Sequence, residues 1–169
     1  MDMYFSAKTQ TLVQFKEIYD KRLLNETPQN GSPVIFCAMA NQTPQNRYDI
    51  VSFLMDEGED LNGTNEEGET LFHILFSRPK HIMEQTVELT LILIDEGVDI
   101  NQLDAKHRVA IQYLISHPKF TDEDFAPLYD VIFKRCTLEL NIKNDWGYTP
   151  IELAQKLPYR AELLKRMTK

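Results

Sequence analysis

The sequence predicts an all-α fold, a solenoid of repeated helix-loop-helix-turn units, from three observations. A segment recurs: DEGEDLN (Asp56 to Asn62) returns as DEGVDIN (Asp95 to Asn101), and LELN, from Leu138, then sets Asn141 at nearly the same interval beyond Asn101. A helix opening follows each Asn at a near-constant offset: GETLFHIL from Gly68, HRVAIQYL from His107 and GYTPIELA from Gly147, with an earlier copy, GSPVIFCA, from Gly31. Apolar residues between these marks fall at helical spacing. The period is about 39 residues, and a fixed period of roughly 20 to 50 residues signals stacked supersecondary units.

Each element of a unit has a local cause. Thr70, Thr149 and Ser32 are N-cap types whose hydroxyls accept a bond from an unpaired amide of the first turn. Pro33 and Pro150 then take the first helical position, where a missing amide costs nothing. The first helix is short and apolar, as in Ile35-Phe36-Cys37-Ala38 and Ile74-Leu75-Phe76, and ends at a polar, Pro-containing break. The second carries Ile50, Val51, Phe53 and Leu54, or Leu89, Ile92 and Leu93, which form one apolar stripe. Gly58 and Gly97 close it, because glycine adopts the left-handed terminal conformation without a Cβ penalty. One unit cannot bury both stripes alone, so neighbours must stack.

This pattern resembles the ankyrin repeat. Gly147, Thr149, Pro150, Ile151, Leu153 and Ala154 match the family's Gly-x-Thr-Pro-Leu-His-x-Ala opening, and Gly68, Thr70 and His73 match it again with Leu71 in the proline place. Val51, Leu54, Gly58 and Asn62, then Ile92, Leu93, Gly97 and Asn101, match its second half. The units are longer than the family's usual length of about 33 residues, and the surplus is expected as lengthened inter-helix loops at Asn41 to Tyr48, Arg78 to Gln85 and His117 to Pro127. In the third unit His107, Val109, Ala110 and Gln112 replace the expected Gly, Thr, Pro and His, and Cys136-Thr137 stand near the expected terminal Gly. The resemblance implies one ankyrin-repeat domain over 1–169: a degenerate N-terminal cap at 1–29, repeats at 30–66 and 67–103, a diverged repeat at 104–143 and a C-terminal capping repeat at 144–169. The cap's apolar stretch is Leu12 to Leu24, and the opposite end is basic, with Lys156, Arg160, Lys165, Arg166 and Lys169.

Composition narrows the function classes. The 43% apolar content suits a soluble protein, and the run Leu89 to Ile94 is far short of the roughly 20 residues that cross a bilayer. Without a basic, apolar leader the chain is expected in the cytoplasm, so the triplets at Asn25, Asn41 and Asn62 are not glycosylation sites, and Cys37 and Cys136 are expected as buried free thiols. The net charge is −8, and the eight acids between Tyr48 and Ser77 (Asp49, Asp56, Glu57, Glu59, Asp60, Glu66, Glu67, Glu69), with no Lys or Arg among them, equal the whole excess. Such a chain repels phosphate backbones and suits a basic protein surface, unless the run is only a solvated face.

No catalytic or metal-binding constellation emerges. His73 sits where ankyrin units place a histidine that bonds the local backbone; His81, His107 and His117 share no metal-ligand spacing, and the cysteines form no Cys-x-x-Cys. Asp122-Glu123-Asp124 and Asp99-Asn101-Asp104 lack the glycine and late glutamate of a calcium loop. No cofactor, nucleic acid or membrane is expected, and the chain is read as no enzyme. The resemblance implies protein binding along turn tips and inner helices, with Asn65, Glu66, Glu67 and Glu69, Lys106, and Asp145, Trp146 and Tyr148 as the contact set. Trp146, the only tryptophan, either anchors a partner or packs on the neighbouring turn, and Phe120 and Phe125 carry the same ambiguity. The expected role is a monomeric module that recognises one partner, an inhibitor or immunity-like protein masking a basic surface of an enzyme or toxin. The alternative is an assembly protein that self-associates or scaffolds a complex.

Overall fold

Ten α-helices and two 3₁₀ turns, with no strand, form among the described residues, 1–28 and 31–169 of a computed structural model. The expected boundary at residues 29 and 30 lies outside them. The helices come in pairs: α1 (Met3–Thr9) and α2 (Leu12–Ile18), α3 (Val34–Met39) and α4 (Pro44–Glu57), α5 (Leu71–Phe76) and α6 (Met83–Asp95), α7 (Ile111–Ile115) and α8 (Asp122–Arg135), α9 (Pro150–Gln155) and α10 (Ala161–Met167). Odd-numbered helices pack on each other in chain order, and so do even-numbered ones, giving two layers.

The odd layer is short and dry. Every residue of α5 is buried, so burial from both sides, rather than one amphipathic face, selects its apolar sequence. The even layer buries one stripe in strict register: Arg47, Ile50, Val51 and Leu54 in α4, Thr86, Leu89, Thr90 and Leu93 in α6, Phe125, Leu128, Tyr129 and Ile132 in α8. These sets recur at the interval that separates the turn marks, so the period seen in the turns also governs the core.

Helix ends follow the expected chemistry with three corrections. Thr70 and Thr149 cap α5 and α9, each in a reciprocal pair with the residue three positions on, His73 and Glu152. Gly58 (φ +99°) and Gly97 (φ +77°) take the left-handed conformation after α4 and α6, and Glu59 and Val98 then donate back to Leu54 and Leu93. Ser32, however, is no cap: α3 begins one residue later, behind Pro33, and buried Glu59 reaches the backbone of Asn25 and Ile35 instead. The surplus segments are only partly loops: residues 41–43, 78–82 and 117–121 form the breaks, while Pro44 to Tyr48, Met83 to Gln85 and Asp122 to Pro127 are helical and extend the even-numbered helices, with Asp122-Glu123-Asp124 as the acidic first turn of α8. Phe125 is accordingly core, with no exposure. The basic C-terminal end is also partly internal: Arg160 has no exposed surface, and Arg166 pairs with Asp130 and Glu162.

The breaks between paired helices are joined by buried polar side chains and by half-buried Arg78. Asn41 donates to the carbonyls of Ala7 and Gln10, Arg47 to those of Asn41 and Lys80, Arg78 to those of Ile74 and Ala40. Arg160 donates to the carbonyls of Ile115, His117 and Phe120 and pairs with Asp122 at 3.2 Å. His117 Nδ1 accepts from the amides of Lys119 and Phe120, which leaves Nε2 to donate to the Arg78 carbonyl at 2.9 Å. His81 and His117, far apart in sequence, bring their rings within 5.6 Å among Phe120 and Phe125. Burial, with Arg47 and His117 nearby, pushes His81 down to about 3, and burial also lowers His117.

Removing the guanidinium in Arg160→Ala strands three buried carbonyls and Asp122, and is expected to cost about 3–5 kcal/mol in urea unfolding. The buried histidines set a pH dependence. The unfolded chain binds more protons than the folded one below pH 6.5, so stability is full above that value and falls as pH drops towards the folded pKa values. Between pH 7 and 5 the His81 share is about 2 kcal/mol, and His81→Leu is expected to remove that share when urea midpoints at the two pH values are compared.

Candidate protein-binding face

The turns that precede α5, α7 and α9 are copies of one hydrogen-bonded device. Asn65, Asp104 and Asn144 occupy the same place, and each side-chain Oδ1 accepts two backbone amides: Glu67 and Glu69, Lys106 and Arg108, Trp146 and Tyr148. Each backbone also closes on the residue four positions on. Consecutive turns are linked, the Ala105 amide donating to the Glu67 carbonyl at 2.8 Å and the Asp145 amide to the Lys106 carbonyl at 3.1 Å. Asn65, Asp104 and Asn144 keep the spacing of the other marks, a signal in the sequence that the more conspicuous Asn62, Asn101 and Asn141 overshadow.

The left-handed residue of this turn is Gly68 (φ +72°), His107 (φ +57°) and Gly147 (φ +84°). The diverged third unit thus keeps the turn, with a non-glycine residue in the left-handed conformation, and the His107 ring meets Asp145, whose Oδ1 lies 2.7 Å from Nδ1. A Cβ on Gly68 would meet the Ala105 amide nitrogen at 3.0 Å, whereas one on Gly147 would meet nothing within 4 Å.

A polar network ties the turns to the odd-numbered helices. His73 Nδ1 accepts from the Thr70 amide, so Nε2 carries the proton and donates to the Arg108 carbonyl at 2.8 Å. Burial lowers the His73 pKa against that bond. Tyr113 donates to Glu69 at 2.9 Å and is raised by burial and by the Glu69 carboxylate. Asp104, buried, pairs with Arg108 Nε at 2.7 Å; burial acts to raise its pKa, but the Arg108 and Lys106 donors outweigh it and hold the carboxyl below the usual range.

Trp146 is 57% exposed, so it does not pack away against the neighbouring turn. It walls a pocket of about 340 Å³ with Arg108, Gln112, Tyr113, Ser116, Asn144, Tyr148 and Leu153. Lys106 Nζ and Arg108 Cζ lie 5.5 and 5.7 Å from its ring, and Lys156 Nζ lies 4.3 Å from the Tyr148 ring. The structure therefore gathers Lys106, Asp145, Trp146 and Tyr148 of the expected contact set. It adds Arg108 and Tyr113, which carry no sequence mark, Gln112, marked only as a departure from the repeat's opening, and Lys156, marked only as part of the basic end.

Asn65 and Glu69 are drawn into the turn network, and Glu66 and Glu67 stay exposed on the first of the linked turns. The acidic run does not form a single face. Glu59 is buried, Glu57 pairs with Lys21 at 3.3 Å, Asp60 caps the Asn62 amide, and Asp56 lies on α4. Both cysteines are free and half-buried, with pKa values raised by burial. Among the described residues no group of three or more His, Cys, Asp or Glu is placed to hold a metal ion, and no helix is long and apolar enough to cross a membrane.

No family model matches the chain, and no curated protein matches it. The chain is similar to a solved structure, a functionally unknown protein from Leptotrichia buccalis C-1013-b, at 27% identity over 99% of this chain and 91% of that one, with a TM-score of 0.83. The all-α arrangement is thus shared over the full length of the chain.

The turn geometry orders two substitutions. Gly147→Ala meets only the left-handed penalty and is expected to cost about 1–2 kcal/mol, while Gly68→Ala adds a backbone collision with the next turn and should cost clearly more, as read by thermal unfolding of both variants.

Proposed function

We propose that this chain is a protein-binding module of the ankyrin type that grips one partner along its linked turns and the adjoining short helices. The observation that carries this reading is the exposed Trp146, fixed by the Asn144 turn on the wall of an open pocket and flanked by Lys106 and Arg108. A rigid, half-exposed aromatic beside a concave surface is the type of side chain that dominates binding energy at protein interfaces. The caps, the left-handed turn residues and the core register that repeats with the turns support the ankyrin assignment. The simplest consequence of such a grip is masking, so the module acts as an inhibitor or immunity-like protein, with Glu66 and Glu67 meeting a basic element of the partner's surface.

A second reading, self-assembly through the first helix pair, draws on Phe5, Val13 and Ile18, which are exposed there at 53%, 72% and 37%. Light scattering separates the two: a monomer at micromolar concentration defeats self-assembly.

For the module, a partner captured by the wild-type chain is expected to bind Trp146→Ala with a loss of about 2 kcal/mol or more by calorimetry, while the variant's own unfolding midpoint stays the same. Unchanged affinity both for Trp146→Ala and for Glu66→Lys with Glu67→Lys defeats this reading.

A further inference from the structure

The pocket beside Trp146 contains a buried donor with nothing to donate to. Gln112 is 3% exposed, lines the pocket, and its Nε2 has no hydrogen-bond partner. Its orientation follows from its neighbour. Asn144 Oδ1 already accepts the amides of Trp146 and Tyr148, so Asn144 must present Nδ2 to Gln112, and Gln112 must turn Oε1 towards it, at 3.2 Å. The Gln112 Nε2 is then the atom left over, and a buried donor without an acceptor carries a desolvation penalty that a ligand acceptor removes.

The charges around the pocket indicate which acceptor fits. Arg108 uses Nε on Asp104, which leaves its terminal nitrogens for another oxygen, and its guanidinium lies against Tyr113 and Trp146. Lys106 and Lys156 stand over the two aromatic rings on either side, and neither forms an ion pair among the described residues. The nearby carboxylates are already engaged: Asp104 with Arg108, Asp145 with His107, Glu152 with the Thr149 amide, Glu69 with Asn65 and Tyr113. Three cations thus surround an aromatic wall and an orphan donor, while the oxygens of the four nearby carboxylates are taken up by hydrogen bonds within the turns, on a chain whose net charge is −8.

We infer that this pocket receives an acidic side chain, Asp or Glu, from an extended segment of the partner protein. Its carboxylate accepts from Gln112 Nε2 and the Arg108 guanidinium while the flanking backbone lies on Trp146. Cations drawn from two successive units, Lys106 and Arg108 from one and Lys156 from the next, favour an internal segment over a single chain terminus. The inference rests on the protein-binding reading and gives it a chemistry. It also separates two regions of the face, a cationic aromatic pocket for an acid and the Glu66-Glu67 turn for a base.

The test uses the intact chain and random peptides displayed as internal, terminus-free segments, with a second library ending in a free carboxylate. Selection is expected to enrich Asp or Glu at one position of the internal library. A selected peptide should quench or shift the emission of Trp146, the only tryptophan, and bind about tenfold more tightly than its Gln isostere. Gln112→Met, which removes the Nε2 donor without burying a charge, and Lys156→Glu, at an exposed side chain, should each weaken it by about tenfold or more, with thermal unfolding of both variants confirming that they fold. Acid enrichment only in the free-carboxylate library overturns the internal-segment assignment. Selection of neutral or basic peptides at Trp146, or indifference to both variants, overturns the inference and leaves the protein-binding reading intact. No selection from either library overturns the inference as well, while the binding reading stands or falls separately on partner capture by Trp146→Ala.

Discussion

The constraint on which the rest of this structure depends is the brevity of its odd-numbered helices. Helices as short as α3, α5 and α7 satisfy few of their own terminal carbonyls, and the amides just after each helix serve only some of the remainder. Side chains serve others: Arg78 donates to Ile74 and to Ala40 of the preceding unit, and Arg160 to Ile115 and the residues after it. The fixed fork of a guanidinium supplies several donors in one plane, and each of these arginines spans two units. Stacking is thus enforced by hydrogen-bond satisfaction as well as by apolar burial, and a unit removed from its neighbour would expose both failures at once.

The same sharing of backbone groups builds the face that is read as functional. Asn65, Asp104 and Asn144 close their turns with one oxygen serving two amides, and the turns are then tied to one another through Glu67, Ala105, Lys106 and Asp145. A side chain carried by such a turn is held before any partner arrives, so little ordering entropy remains to oppose binding. Trp146 occupies that position, one residue before a left-handed glycine and beside two cations. His107 shows how strongly the turn is specified, because a residue with a Cβ takes the conformation that glycine takes in the two flanking copies.

Charge is distributed by this architecture in a way that a linear count conceals. The acidic run is separated by the helix and turn into buried Glu59, four residues with hydrogen-bond or ion-pair partners (Asp49, Glu57, Asp60 and Glu69), Asp56 on α4, and an exposed pair at Glu66 and Glu67. The basic residues Lys106, Arg108 and Lys156, scattered through later units, converge around the aromatic pair. Long-range attraction follows the net charge, whereas specificity follows these local groupings.

Local rules settled much of this from the residues alone. Thr70 and Thr149 cap helices because a hydroxyl one residue before a helix meets an unpaired amide, and Gly58 and Gly97 end them because the left-handed conformation suits glycine. The repeat period follows from the same short-range chemistry used again in each unit. Ser32 and the surplus residues escape such rules because cap position and helix length there are set by contacts with Glu59 and with the neighbouring even-numbered helices. Tertiary structure alone decided the partners of Arg47, Arg78, His117 and Arg160, the exposure of Trp146, and the stranded amide of Gln112. Each of these depends on atoms brought together from different units of the chain, and a hydrogen bond or an open pocket exists only once that approach has been made.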